Sequence, residues 1–88
     1  FLTDADLTEA NLSHTTLSDA KLNRSILIHA NLQSANLTEA TLNHTKLHKA
    51  DLSHATLIRA KLNYADLSRT NLQSAVLIDA VLVEAYLG

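Results

Sequence analysis

The chain contains no cysteine, no proline, no methionine and no tryptophan, and its single glycine is the last residue, Gly88. Without cysteine, the chain has no disulfide framework and no thiolate metal site. Without proline or a polar linker, nothing in its 88 residues interrupts the sequence as a domain boundary would. We therefore expect a single domain that spans residues 1–88.

Long apolar runs are absent as well, and so is a signal peptide. No stretch approaches the roughly 20 apolar residues that a membrane-spanning helix requires, so we expect no membrane contact by this segment. The chain begins at Phe1, in the middle of a repeat and without methionine. We expect it to be a fragment of a longer protein, in which membrane segments could lie elsewhere. The compartment stays open, with the cytoplasm as the default.

The sequence does contain a leucine at every fifth position, without exception, from Leu2 to Leu87. Two residues before each leucine from Leu7 onwards stands a small residue. These 17 small residues are 13 alanines, Thr15, Thr45, Thr70 and Ser25. Strict short repeats of this kind are typical of solenoid proteins.

A period of five fits neither a single helix nor a single strand. On an α-helix five residues advance about 500°, so the leucines would point in all directions. On a flat strand successive leucines would lie on opposite faces. The chain must instead turn once per repeat, so that every leucine points to one axis. We expect a short strand around each leucine, as in Asp51-Leu52-Ser53, and a corner at the next two residues, the second being the small, inward-pointing one.

The outward residues indicate how many repeats close one coil. Two columns align at a spacing of 20 residues: Asn11, Asn31, Asp51 and Asn71, and Asn23, Asn43 and Asn63. Such columns are expected where identical side chains stack on successive coils and form hydrogen bonds along the ladder. Twenty residues are four repeats, which predicts a four-sided coil. With about 4.8 Å between coils, the chain would form a rod roughly 20 Å long.

The repeat reads A-(D/N)-L-x-x, and it occurs verbatim at Ala5-Asp6-Leu7, Ala10-Asn11-Leu12, Ala50-Asp51-Leu52 and Ala65-Asp66-Leu67. In this the chain resembles the pentapeptide-repeat proteins over its whole length. The resemblance implies an all-β fold, a right-handed quadrilateral parallel β-helix of about 4.4 coils for 88 residues. Many members are cyanobacterial and lack an assigned function, some sit behind membrane-spanning segments, and a few mimic DNA and protect type II topoisomerases.

Two departures from the family pattern carry further expectations. The topoisomerase-protecting members often have phenylalanine at the central position, where this chain has only leucine. The family often has glycine at the corner, and here the corner residues are bulkier. The bulkier corners predict that one or more sides of the coil use a different type of turn.

Charge is balanced overall, with a formal net charge of −2, but it is unevenly distributed along the chain. Residues 1–20 carry −4, residues 21–69 carry +4 and residues 70–88 carry −2. This distribution argues against a continuous acidic stripe that imitates DNA. No basic cluster is interleaved with aromatic residues, which argues against nucleic acid as a partner.

The five histidines raise the question of a metal site. His14 and His54 share a column but lie two coils apart, about 9–10 Å, whereas a shared zinc needs nitrogens about 2 Å from the metal. His44 and His48 lie on adjacent sides without an evident third ligand. A convex solenoid also offers no water-excluding pocket for catalysis. We expect no metal, no cofactor, no catalytic residue and no enzyme activity.

The function that the sequence predicts is that of a structural or protein-interaction module, a rigid rod whose flat sides meet another protein. The alternative is a DNA-mimicking protein that binds or protects a type II topoisomerase, which the balanced charge disfavours. The candidate interaction surface lies in the C-terminal coil, where five outward residues are apolar: Val76, Ile78, Val81, Val83 and Tyr86. Such residues are rarely left bare to water, and open strand edges promote association. We expect a second copy, or a segment outside this chain, to cover this end.

Overall fold

Thirteen parallel β-bridges are the regular backbone pairings of the structure, a computed structural model that describes all of residues 1–88. Each bridge joins residues 20 apart, the first being Asp6 with Ile26 and the last Asp66 with Tyr86. Every bridge residue directly precedes a leucine. One coil therefore contains four five-residue repeats, as the spacing of the asparagine columns predicts, and 88 residues make 4.4 coils.

The register of the bridges defines the coils and sides of the solenoid. Coils 1 to 4 are residues 1–20, 21–40, 41–60 and 61–80, and the partial coil 5 is residues 81–88. Side 1 is the first repeat of each coil and begins at residues 1, 21, 41, 61 and 81. Sides 2, 3 and 4 are the repeats that follow in order.

No side forms an extended strand, and the chain contains no helix. Each repeat contributes a single bridge residue, so the predicted three-residue strand around each leucine is wrong. The reason is that four of the five residues in a repeat belong to a turn, which leaves one residue to pair with the neighbouring coils. The fold is a four-sided solenoid of stacked turns that isolated parallel bridges hold together.

Each corner is a β-turn that runs from a leucine to the next small residue. In the first turn the N–H of Ala5 donates to the C=O of Leu2 at 3.0 Å, and the equivalent bond is present in all 17 turns. The second residue after each leucine has a φ between 54° and 64°, from Asp4 to Glu84. A positive φ at only the third turn residue is the pattern of a type II turn. The corner thus lies one residue earlier than predicted, and the predicted change of turn type between sides is wrong.

The identity of the corner residues explains how the turn forms without glycine. Type II turns favour glycine at the third position, and β-branched residues are poorly suited to a positive φ. None of the 17 corner residues is Val, Ile or Thr. The two positions that flank the leucine hold 13 such residues, and none of these 13 has a positive φ. The corner residues can therefore adopt the positive φ of this turn without glycine, because none of them has a β-branched side chain.

The leucines and the small residues point to the axis, as predicted. From Leu22 to Leu67 every leucine is at most 3% exposed, and from Ala30 to Ala65 every alanine is at most 1% exposed. Burial of each leucine contributes about 1.5–3 kcal/mol relative to an exposed one. The small residue closes the turn beside the leucine stack, where a larger side chain would collide with its neighbours.

The bonds of the coils and turns leave one backbone N–H per repeat over, and in ten repeats an asparagine or aspartate side chain accepts it. Bonds between coils use the N–H groups of the bridge residue, the leucine and the corner residue, and the turn uses that of the small residue. The N–H of the residue after the leucine remains. In seven repeats an Asn or Asp before the leucine accepts it, as Asn31 Oδ1 does from Gln33 at 3.0 Å. The preference for Asp or Asn before leucine follows from this bond.

On side 1 the same N–H is satisfied from the preceding coil. Asn23 Oδ1 accepts from the N–H of Asn43 at 2.9 Å, and Asn43 Oδ1 accepts from that of Asn63 at 3.0 Å. Asn63 Oδ1 continues the series to Val83 at 3.1 Å. The predicted ladder of stacked side chains is therefore confirmed for this column. It is wrong for the column of Asn11, whose members bond within their own repeat because they stand before the leucine.

The solenoid is as wide as it is long, with principal dimensions of 27 × 27 × 26 Å. The description as a rod is therefore wrong for 88 residues. The width follows from five residues per side, and 4.4 coils give a length close to that width. The molecule is a block with four sides and two ends, and its ends make up a large share of its surface.

Candidate functional site

The five apolar residues that the sequence singles out lie at the C-terminal end of the solenoid. Val76 and Ile78 belong to side 4, Val81 and Val83 to side 1, and Tyr86 to side 2. Their exposed fractions are 38%, 60%, 38%, 54% and 63%, respectively. The structure thus brings all five together on three consecutive sides, and they are called the C-terminal surface below.

The core is open behind the C-terminal surface. Leu87 is 61% exposed, and Leu72, Leu77 and Leu82 are only half-buried. An apolar cavity of about 90 Å³ lies at this end and is lined by eight leucines: Leu52, Leu57, Leu62, Leu67, Leu72, Leu77, Leu82 and Leu87. The leucines at this end are therefore not fully buried. The exposure of Leu87 is not apparent from the sequence, because Leu87 has the same place in its repeat as every other leucine.

Unpaired backbone groups surround the same opening. The N–H groups of Leu72, Leu77 and Leu82 make no hydrogen bond, although the equivalent groups of earlier coils bond to the next coil. The C=O groups of Ala75 and Ala80 likewise accept none. An edge of this kind is a template for pairing with another chain.

The N-terminal end has a different character. Leu2, Leu7, Leu12 and Leu17 are half-buried, and Phe1 is the only exposed large apolar residue of coil 1. The other outward residues there are polar, and four of them are acidic: Asp4, Asp6, Glu9 and Asp19. Exposed apolar side chains are therefore concentrated at one end of the molecule.

A shallow polar groove runs across side 1 in coils 2 to 4. It is lined by Asn23, Arg24, Asn43, His44, Asn63 and Tyr64. The Asn ladder forms its floor, and its Oδ1 atoms accept backbone N–H groups. Because each Oδ1 is engaged, the amide NH₂ groups are the atoms left free to bind a ligand.

One wall of this groove is built by stacked corner residues. The rings of His44 and Tyr64 are parallel within 8°, with centroids 4.9 Å apart. Below them Arg24 donates to Asp4 through Nε at 2.9 Å and through Nη2 at 3.3 Å. The hydrogen bond from Arg24 lowers the pKa of the Asp4 carboxyl. The pair is exposed, so it contributes little to stability.

Three carboxylates that precede leucines are held by the turn itself. Hydrogen bonds from Thr8, Ser53 and Ser68 lower the pKa of Asp6, Asp51 and Asp66, respectively. In each case the bonded residue lies two positions further along the chain, so the effect is local. These shifts reflect turn capping and do not mark a catalytic group.

No group of three His, Cys, Asp or Glu side chains is placed to hold a metal ion. His14, His44 and His54 are exposed corner residues, and His48 shares a 2.7 Å contact between its Nδ1 and the Oγ of Ser68. None of the chain forms a helix with the length and apolar character needed to cross a membrane.

The pattern of turns and bridges has a counterpart among known proteins. A sequence model of the pentapeptide repeats matches the chain in eight copies, over residues 2–38, 17–53, 35–73 and 50–88. The chain belongs to the pentapeptide-repeat family. A comparison of the sequence with curated proteins finds no match.

Solved pentapeptide-repeat structures resemble this one. A protein from the thylakoid lumen of Arabidopsis thaliana is 29% identical with a TM-score of 0.76, and the match covers 91% of this chain and 59% of that protein. A protein from the cyanobacterium Cyanothece 51142 is 30% identical with a TM-score of 0.57, covering 97% and 62%. A protein from Nostoc Pcc 7120 is 36% identical with a TM-score of 0.56, covering 91% and 62%. The chain thus spans about 60% of the length of these relatives.

In this pentapeptide-repeat domain the five apolar residues are exposed on the three sides that the sequence predicts, and their role as an interaction surface stays a prediction. The sequence analysis does not predict the groove on side 1. The signal was available, because Arg24, His44 and Tyr64 are spaced by 20 residues and therefore share a corner. That His44 and Tyr64 stack, and that the asparagine amide groups beside them are free, depends on side-chain directions that the spacing does not give.

Proposed function

We propose that this domain is a non-catalytic protein-interaction module whose C-terminal surface docks a second copy of the chain. The observation that carries the proposal is the concentration of exposed apolar residues around an open core at that end. Contiguous exposed apolar patches are uncommon on soluble monomers and mark interaction sites. The right-handed, four-sided coil of the pentapeptide-repeat family would present this end as a flat platform.

Contact between two C-terminal ends fits the surface better than a head-to-tail stack does. In a head-to-tail stack the bridge positions of Val76, Val81 and Tyr86 would meet those of the N-terminal coil. That coil has polar residues at three of its four bridge positions: Asp6, Asn11 and Thr16. Two C-terminal ends instead bury apolar residues against apolar residues, which is the favourable arrangement.

The charge distribution argues against the alternative function, mimicry of DNA. At the corner of side 4 the acidic residues Asp19, Glu39 and Asp79 are interrupted by Arg59, which bonds to Glu39 at 3.4 Å. At the corner of side 1 Arg24 separates Asp4 from Glu84. No corner therefore carries the unbroken row of negative charge that a topoisomerase would read as a DNA backbone.

Sedimentation velocity of the 88-residue chain tests this proposal. We expect the parent chain to self-associate as its concentration rises, and the double variant Val81→Lys, Val83→Lys to remain monomeric. The matched control is Thr16→Lys, Ser18→Lys, which adds the same charge at the same two positions of a repeat, on side 4 of the N-terminal coil, and should associate like the parent. A parent chain that stays monomeric at high concentration would refute docking of a second copy.

A further inference from the structure

The outward residues of side 1 in the middle coils are cationic or uncharged, without an acidic residue. Its nine outward residues in coils 2 to 4 are Lys21, Asn23, Arg24, Thr41, Asn43, His44, Lys61, Asn63 and Tyr64. None is acidic, three are cations, and three are asparagines. Side 3 differs: its outward residues in coils 2 to 4 include Asp51 and no lysine or arginine.

The asparagine ladder turns this surface into a row of hydrogen-bond donors. The Oδ1 atoms of Asn23, Asn43 and Asn63 are held by backbone N–H groups at 2.9 to 3.1 Å. This fixes the orientation of each amide, so its NH₂ group projects from the floor of the groove. None of these NH₂ groups has a partner in the chain. The donors repeat once per coil, about 4.8 Å apart.

Cations flank this row of donors on both sides. Lys21 and Lys61 are exposed bridge residues on one side of it, and Arg24 lies at the corner on the other. Arg24 is already paired with Asp4, which leaves the two lysines as the free charges. The groove therefore combines few charges with several neutral donors.

From this arrangement we propose that the side 1 groove binds an acidic peptide segment of another protein in extended conformation. Carboxylates suit the two free lysines, and main-chain carbonyls suit the amide NH₂ groups. In an extended peptide, every second side chain faces the same way at about 6.6–6.8 Å intervals. Two carboxylates can then engage the groove along its length. This inference rests on the proposed role as a protein-interaction module and gives that module a second surface.

A peptide fits the groove better than a nucleic acid does. Binding to a phosphate backbone depends on the neutralisation of many phosphates by lysine and arginine. Side 1 offers two free lysines, and the corner column beside Lys21 and Lys61 includes Asp19 and Asp79. Those carboxylates would repel a dense row of phosphates, whereas a sparsely charged peptide can avoid them.

Fluorescence anisotropy tests the proposal with a fluorescein-labelled eight-residue peptide of alternating Glu and Ser, and with a Gln-for-Glu peptide as the neutral probe. We expect the acidic peptide to bind and the neutral one to bind at least about tenfold more weakly, as the loss of two charge-assisted bonds implies. Equal binding of both peptides, or tighter binding of a poly-uridylate of the same length, would overturn the proposal.

Two pairs of variants locate the site. Asn43→Asp with Asn63→Asp keeps each Oδ1 acceptor but removes two NH₂ donors, and should weaken binding at least about tenfold. Asn31→Asp with Asn71→Asp makes the same chemical change on side 3 and should have less than a twofold effect. Lys61→Gln should also weaken binding, whereas Lys46→Gln, at the equivalent position on side 2, should not. An equal loss in both members of either pair would refute a site on side 1.

The proposal for the side 1 groove and the proposal for the C-terminal surface can be refuted independently of each other. Peptide binding is therefore measured both on the parent chain and on a Val76→Ser, Ile78→Ser chain, which alters the C-terminal surface on side 4 and leaves the charge of side 1 unchanged. Equal binding of the peptide by both chains assigns the peptide site to side 1, whatever the result for self-association. Binding that disappears in the Val76→Ser, Ile78→Ser chain would place the peptide at the C-terminal end and overturn this inference while leaving the proposal of a C-terminal docking surface in place.

Discussion

At the scale of single residues, the repeat is a compromise between a strained backbone and a small set of permitted side chains. Every corner residue adopts a φ near +60°, and none is a glycine that would adopt it freely. Beneath each corner a small residue must fit beside the leucine stack. Four of these small residues are polar: Ser25 and Thr45 are buried, and Thr15 and Thr70 are half-buried. The corner and the small residue are where single substitutions should have the clearest effects.

The corner predicts opposite outcomes for two substitutions of Lys49, whose φ is 60°. Lys49→Val places a β-branched side chain in the left-handed region and should lower the free energy of unfolding by roughly 1–3 kcal/mol. Lys49→Gly should be neutral or slightly stabilising, because relief of strain and the added freedom of the unfolded chain nearly cancel. Thermal melts compare both with Gln33→Val, a flanking position that should tolerate valine. Equal stability of Lys49→Val and Lys49→Gly would show that the corner is not strained.

The buried Ser25 hydroxyl makes no hydrogen bond, whereas Thr45, one coil further in the same column, donates to the C=O of Leu42 at 2.8 Å. Removal of an unsatisfied buried polar group is favourable, so Ser25→Ala should raise the free energy of unfolding by about 1 kcal/mol. Thr45→Ala removes a satisfied hydroxyl and should be neutral or destabilising. Denaturant unfolding measures both, and a loss of stability in Ser25→Ala would mean that its hydroxyl is satisfied after all.

At the scale of the repeat, the repeating element is a type II turn with one bridge residue, and in ten repeats an Asn or Asp side chain accepts the backbone N–H that is left over. The N–H of the residue after the leucine can be bonded in two ways. An Asn or Asp before the same leucine accepts it, as Asn31 does, or an asparagine of the preceding coil accepts it, as Asn23 does. Asparagine and aspartate should therefore be interchangeable as caps, but only aspartate makes the cap depend on pH.

Asp51 provides the pH test. Hydrogen bonds from Ser53 lower its pKa in the folded state below the ordinary value of 3.8. A carboxyl whose pKa is lowered by folding stabilises the fold above its unfolded pKa, and this contribution is lost as pH falls through the folded pKa. Asp51→Asn should keep the cap, as Asn31 does in the same column, and should lose less stability than the parent between pH 5 and pH 2. Parallel curves of melting temperature against pH for the two chains would contradict this account.

At the scale of the whole molecule, the leucine period and the 20-residue spacing predict the four-repeat coil and the inward columns, and both are confirmed. The period alone does not say which residues make the turn, so the corner was placed one residue late. The lack of Val, Ile and Thr at positions such as Asp4 and His14 could have corrected this, because only the corner excludes them. The open core at Leu87 could not be predicted, because its exposure depends on what is stacked above it.

The central claim is that the C-terminal end associates with a second copy, and amide hydrogen exchange as a function of protein concentration tests it most directly. In dilute solution the unpaired N–H groups of Leu72, Leu77 and Leu82 should exchange rapidly, whereas those of Leu32 and Leu37, bonded to the next coil at 2.7 Å, should be protected. As concentration rises, we expect protection to appear at the three C-terminal leucines and to remain unchanged at the other two. Rapid exchange of Leu72, Leu77 and Leu82 at every concentration would contradict the claim.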